Sequence, residues 1–227
     1  MSTQAPSPRR FGGRPIHVLL VDDHPAVRQG VRQLLATQGE LDTVLETSSA
    51  SDATSELARW ADVAVIDYHL GDRDGLWLTH KIKRLPSAPP VLIYSAFADP
   101  RLAAASIIAG ADGLLSKTAG AADLFVTIRR LLHGRKSFPA IPKALDTALR
   151  SRLAPRDRAI YSMLIHDVAP EDISRRLGIT PVELQERRRA IVSAIAPTVA
   201  VASLSPTTRA PLDYERARRR HRYGAAG

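Results

Sequence analysis

A chain of 227 residues with 44% apolar and 24% charged side chains has enough material for two small globular domains. No apolar run approaches the ~18 residues that a membrane helix needs, and residues 1–14 read as a polar Pro/Gly-rich tail rather than a signal peptide, so a cytoplasmic location is expected and no membrane partner. The absence of cysteine excludes disulfides, thiol catalysis and cysteine-ligated metal centres. The net charge of +9 is unevenly spread: residues 15–132 carry 11 Lys/Arg against 14 Asp/Glu, whereas residues 133–196 carry 12 against 7, so an acidic module precedes a basic one suited to a polyanion.

From 16 to 132, short apolar runs alternate with amphipathic stretches. IHVLLVD (16–22), TVLET (43–47), DVAVID (62–67), VLIYS (91–95) and GLLS (113–116) have the length and bounding residues of parallel strands covered on both faces. A helix is expected after Pro25, with Val27, Val31, Leu34 and Leu35 on its inner face and a stop before Gly39. Another is expected after Asp99 as N-cap and Pro100, carrying Leu102, Ser106, Ile107 and Ala109 to Gly110. A further one spans about 121–132, with Leu124, Ile128, Leu131 and Leu132 inward. Repeated βα units imply an α/β, doubly wound parallel sheet of order 2-1-3-4-5, with its ligand site at the carboxyl ends of the strands.

Residues 134–152 read as a linker containing a short helix, because two prolines and several basic residues break the alternation. Residues 153–196 then read as a small all-α domain. One helix runs from Pro155 to about His166 and a second from Pro170 to Leu177. A third starts at Thr180, where Thr180 and Glu183 have the spacing of a capping box. Ile160, Leu164, Ile173, Leu177, Ile179, Leu184, Ile191 and Ile195 are its expected core. Residues 197–227, with RARRRHR at 216–222, read as a basic disordered tail.

Asp22 and Asp23 close the first strand and Asp67 the third, which that strand order makes neighbours, so three carboxylates converge. Their repulsion calls for a cation. Hard oxygen ligands suit Mg²⁺, which neutralises charge on an incoming phosphoryl group while Asp67 attacks phosphorus in line. Ser95, ending the fourth strand, supplies a hydroxyl for a phosphoryl oxygen, and Lys117, following the fifth, supplies a positive charge. Taken singly, such residues are most often caps, turn residues or solvated charges; jointly they define one pocket.

The set VDDHP, IDYHLGDRDGL, YSA and GADGLLSK resembles the receiver domain of bacterial response regulators over about 16–133. The resemblance implies a flavodoxin-like domain over 15–133, Asp67 as phosphoacceptor, a metal site formed by Asp22, Asp23, Asp67 and the backbone carbonyl of His69, Ser95 as hydroxyl switch and Lys117 as phosphate-pairing lysine. It implies a sensor histidine kinase as partner. Leu114 departs from the aromatic residue that receivers usually carry there. Asp72 and Asp74 in GDRDG read as turn and cap residues rather than ligands.

Residues 153–195 resemble the LuxR-type helix-turn-helix domain without gaps, including LxPRxR and RRLGI. With the receiver, this gives the NarL/FixJ type of response regulator, for which double-stranded promoter DNA and a homodimer are the implied partners. The family's base-reading positions fall on Gln185, Glu186 and Arg189, whose side chains suit adenine, cytosine and guanine respectively. Arg187 and Arg188 are candidate phosphate contacts. Three features depart from the family: Glu183 stands where a phosphate-binding Thr is usual, Arg188 replaces an inward apolar residue, and a fourth helix is poorly marked after Ala196. These departures keep open an alternative output through protein contacts. A phosphatase of haloacid-dehalogenase type is disfavoured, since position 69 is His rather than a second acid, and no enzyme activity is expected.

Overall fold

The computed structural model describes residues 15–37, 41–53 and 55–196. The expected tails at 1–14 and 197–227, the basic run at 216–222, the stop at Gly39 and any helix beyond Ala196 lie outside them. Five parallel strands, β1 (Ile16–Val21), β2 (Leu41–Thr47), β3 (Val63–Asp67), β4 (Val91–Ser95) and β5 (Gly113–Ser116), form one sheet of order β2-β1-β3-β4-β5. This is the flavodoxin-like arrangement, with its switch point between β1 and β3.

The first half of the chain also contains α1 (Pro25–Ala36), α2 (Ser55–Trp60), α3 (Gly75–Ile82), α4 (Pro100–Ala109) and α5 (Ala121–Leu132). Every residue of β3 and β4 is buried, as expected of short strands sandwiched between helices. Val18, Leu20, Val65, Leu92 and Tyr94 cluster with Val31 and Leu35 of α1 and with Leu124, Ile128 and Leu131 of α5. Such a buried aliphatic side chain contributes ~2 kcal/mol, so the cluster fixes strand register firmly.

The caps of α4 form as its sequence dictates. Asp99 accepts from the Leu102 amide at 2.7 Å, and Gly110 ends the helix at φ +100°, where a β-carbon is disfavoured. Gly75 has a different constraint. A β-carbon there would lie 2.2 Å from the Asp67 carbonyl oxygen, so glycine is what lets α3 begin against the end of β3.

The segment read as a linker contains the expected short helix and also pairs with the sheet. Ser137 pairs along β5, accepting from the Leu114 amide and donating to the Asp112 carbonyl, both at 2.9 Å. Helix α6 (Lys143–Ser151) then packs on α7 (Pro155–Ile165), followed by α8 (Pro170–Leu177) and α9 (Pro181–Ile195). Leu149, Leu153 and Tyr161 join Ile160, Leu164, Ile173, Leu184, Ile191 and Ile195 as buried residues of the helical part. Leu177 does not belong to that core, being 38% exposed at the last position of α8, and Ile179 is only partly buried. Helices α7 and α9 rest against α4 of the sheet domain. Among the described residues no helix is long and apolar enough to cross a membrane.

Candidate functional site

The carboxyl ends of β1 and β3 bring Asp22 and Asp67 into one buried pocket, and Asp23 stands at its rim. Lys117, just past β5, reaches between the first two: its Nζ lies 2.6 Å from Asp22 Oδ2 and 2.7 Å from Asp67 Oδ2. Asp67 Oδ1 is left buried without a hydrogen-bond partner. Burial pushes the Asp67 carboxyl up from its ordinary range, the charge of Asp22 adds to this, and Lys117 opposes both. Burial alone would lower the Lys117 ammonium, but its hydrogen bonds to the two carboxylates outweigh that and raise it, so it stays charged.

Three carboxylates against one lysine leave the pocket electronegative, and ligand atoms of Asp22, Asp23, Asp67 and also His24 lie within 4.8 Å of one another. A buried carboxylate oxygen lacking a donor, within an oxygen-rich cluster, fits a hard divalent cation such as Mg²⁺. His24 was not singled out by sequence reasoning. Its amide donates to Asp22 Oδ1 at 2.9 Å, and its Nδ1 lies 2.6 Å from Asp23 Oδ1. Its signal was position alone, directly after the acidic pair. Arg28 was likewise missed; its guanidinium donates to the Asp22 carbonyl from the first turn of α1.

Ser95 is fully buried at the end of β4, and its Oγ accepts from the Phe97 amide at 3.1 Å. Its carbonyl accepts from the Lys117 amide at 2.8 Å, which ties together the strand ends carrying the hydroxyl and the ammonium. His69 follows β3, with its ring edge-on to Tyr68 and Phe97. Asp74 caps α3 by accepting from the Trp77 amide at 2.7 Å. Asp72 instead binds the loop after β2, accepting from the Ala50 and Ser51 amides at 3.0 and 2.9 Å and from the hydroxyls of Ser49 and Ser51. Leu114 is buried in β5.

On α9, Thr180 Oγ1 accepts from the Glu183 amide at 3.1 Å, but the Glu183 carboxylate turns to Arg187 at 2.8 Å rather than back to the cap. Arg187 also pairs with Asp157 at 3.2 Å. Glu186 and Arg189 are exposed, while Gln185 is half-buried beside α4. Arg188 departs most from the expectation of a phosphate contact. It is 5% exposed, and its Nε donates to the Ile108 carbonyl at 2.7 Å, so in this arrangement the side chain is held by the sheet domain.

The receiver domain of response regulators matches residues 18–129. Over 175 residues the chain is 30% identical to the transcriptional regulatory protein UhpA of Salmonella typhimurium, covering 76% of this chain and 88% of that one. It is 32% identical over 152 residues to the response regulator protein VraR of Staphylococcus saprophyticus, covering 66% and 70%. The chain belongs to the response regulators of the NarL/FixJ type. Its fold is similar to the receiver domain of the putative response regulator NarL from Mycobacterium tuberculosis, with a TM-score of 0.51, 28% identity, and coverage of 54% of this chain and 99% of that one. RcsB from Salmonella enterica, solved on promoter DNA with a phosphomimetic, shares the fold over 82% of this chain and 96% of its own, with a TM-score of 0.54 and 21% identity.

Of the pocket residues read from sequence, Asp22, Asp23, Asp67 and Lys117 come together, with His24 and Arg28 added at the edge. The five positions on α9 are dispersed instead: two are exposed, two partly covered and one buried.

Proposed function

We propose that Asp67 of this response regulator accepts a phosphoryl group from a sensor histidine kinase, and that the phosphorylated receiver controls binding of double-stranded promoter DNA by α7–α9. The observation that carries this reading is Asp67 Oδ1, a buried carboxylate oxygen with no donor beside a charged lysine. Asp22, Asp23, Asp67 and the His69 carbonyl would hold Mg²⁺, which when bound supplies charge neutralisation for the phosphoryl oxygens. The free oxygen of Asp67 attacks phosphorus, the P–N bond to the kinase histidine breaks, and the imidazole leaves with a proton from solvent. Lys117 pairs with a phosphoryl oxygen, and the Ser95 hydroxyl donates to another. The attack requires the Asp67 carboxylate to be ionised, a state that the adjacent Lys117 ammonium favours.

The protein incubated with acetyl phosphate and Mg²⁺ is expected to gain one phosphoryl group by intact mass, and Asp67→Asn to gain none while keeping the wild-type thermal transition. Label retained by the folded variant would remove Asp67 as acceptor. For output, Gln185, Glu186 and Arg189 would read bases, with Arg187 and a released Arg188 on phosphates. The in-chain pairing of Arg187 and burial of Arg188 favour a second reading, in which output is a protein contact. Selection from a random duplex pool at moderate salt, with and without beryllofluoride, separates them: enriched duplexes support the first, and no retained duplex leaves the second.

A further inference from the structure

The last turn of an α-helix leaves carbonyls that no helical amide can reach. In α4 the amides of Gly110 and Ala111 return to Ser106 and Ile107, and the Ile108 carbonyl is taken by Arg188 from a helix 80 residues later. The fit is close, because a β-carbon on Gly110 would come within 2.5 Å of Arg188 Nη2. A cation at a helix C-terminus is favoured by the helix dipole, which gives the buried guanidinium part of its compensation.

That compensation is incomplete. Arg188 makes no ion pair with a carboxylate among the described residues; burial lowers it to about 10, and Glu171 attracts it only from a distance. Its neighbour His80 is itself buried, with Nε2 unpartnered, and is held neutral near α9. A buried charge supported by one helix end and no counter-ion sits in a shallow minimum, and the same side chain could be paired with phosphate or water outside. Gln185 lies in the same cleft, lined also by Lys136, Asp167 and Glu171, so closure covers part of the face expected to read DNA.

We propose that Arg188 is a latch whose guanidinium caps the C-terminal end of receiver helix α4, holds α9 shut against the receiver, and is released when α4 shifts. The second half rests on the phosphorylation reading. Its route is short: Ser95 Oγ now accepts from the Phe97 amide, Asp99 caps α4 two residues later, and turning the Ser95 hydroxyl towards a phosphoryl group disturbs that connection.

The chain has no cysteine, so Asp52→Cys and Ser193→Cys can be introduced into the full-length protein for spin-label distance measurement. Arg188→Ala is expected to raise the ratio of open to closed molecules about tenfold, the effect of losing one charge-assisted hydrogen bond. Gly110→Ala, which crowds the guanidinium from the α4 side and also strains the helix end at φ +100°, is expected to open it at least as far. The double variant should open no further than Gly110→Ala alone, since both act on one contact. An unchanged distance distribution for Arg188→Ala overturns the latch, and additive effects overturn the α4 capping geometry. Beryllofluoride with Mg²⁺ should open the otherwise unsubstituted pair-labelled protein but add little to Arg188→Ala; an equal response in both removes Arg188 from the signalling route. If beryllofluoride leaves the reference protein closed while Arg188→Ala opens it, the latch stands and the phosphorylation reading fails.

Discussion

The pocket at the strand ends and the helix α9 are built from similar charged side chains, yet they hold them differently. In the pocket, Lys117 lies within 3 Å of both Asp22 and Asp67, on strand ends fixed by a buried sheet. On α9, Arg187 is tied to Glu183 and Asp157, and Arg188 to the far end of α4. The pocket therefore offers chemistry in the arrangement described, while the helix must first give up its present partners. A site whose geometry belongs to one sheet is preorganised; a site whose charges are lent to another element is regulated by that loan.

The largest effect that sharpens this contrast is expected at Gly75. Gly75→Ala would force a β-carbon to 2.2 Å from the Asp67 carbonyl, and the resulting shift of β3 or α3 should cost about 3 kcal/mol in urea unfolding. It should also slow phosphoryl incorporation from acetyl phosphate. If unfolding is unchanged, the backbone around Asp67 is yielding rather than preorganised.

His80 probes the surface between the two regions. Burial, followed by the charges of Arg188, Arg189, Arg84 and Lys81, pushes its imidazole down to about 4. A base depressed when folded takes its proton in the unfolded chain first, so stability is unaffected above pH 6.5 and falls with acidification between 6.5 and 4. The loss traceable to this one residue is about 2 kcal/mol by pH 5. His80→Gln should flatten the profile by that amount in thermal melts from pH 7 to 5, and an identical slope would show that the imidazole is hydrated.

Much of the pocket was legible because its signals are local. Apolar runs of strand length ending in or followed by Asp, Ser and Lys locate Asp22, Asp67, Ser95 and Lys117 from sequence alone, and strand order brings the strand ends together. Helix α6 is the short helix expected within the linker, but the pairing of Ser137 along β5 was hidden by Pro139, Pro142 and the basic residues around them, which resemble a free connection. Leu177 was misread because an apolar residue before a C-terminal glycine fits an inward stripe, although the turn carries it to the surface. The docking of Arg188 had one faint local sign. Leu184, Arg188, Ile191 and Ile195 share the buried stripe of α9, and a charge among three core residues asks for a distant partner. Nothing near it in sequence says that the partner is a carbonyl on α4.

Asp72 gives the finest test, because its loop lies beside the pocket but its bonds are to another loop. Limited burial works against its ionised form, but hydrogen bonds from Ser51, Ala50 and Ser49 prevail and lower the carboxyl to about 2. A carboxyl depressed on folding contributes stability that is present above its ordinary value near 3.8 and is lost as pH falls through 2. Because the group is exposed, solvent screening reduces that contribution to about 1 kcal/mol. Asp72→Asn should therefore lower stability at pH 6 by roughly this amount and narrow the gap from wild type as pH approaches 2, followed by urea unfolding across that range. The pocket itself should be spared: phosphoryl incorporation at Asp67 should stay close to wild type, since Lys117 and the acidic pair are held by β1, β3 and β5. Should incorporation collapse instead, the loop after β3 would be part of the preorganised site, and the boundary drawn between rigid pocket and lent charges would have to move outward to include it.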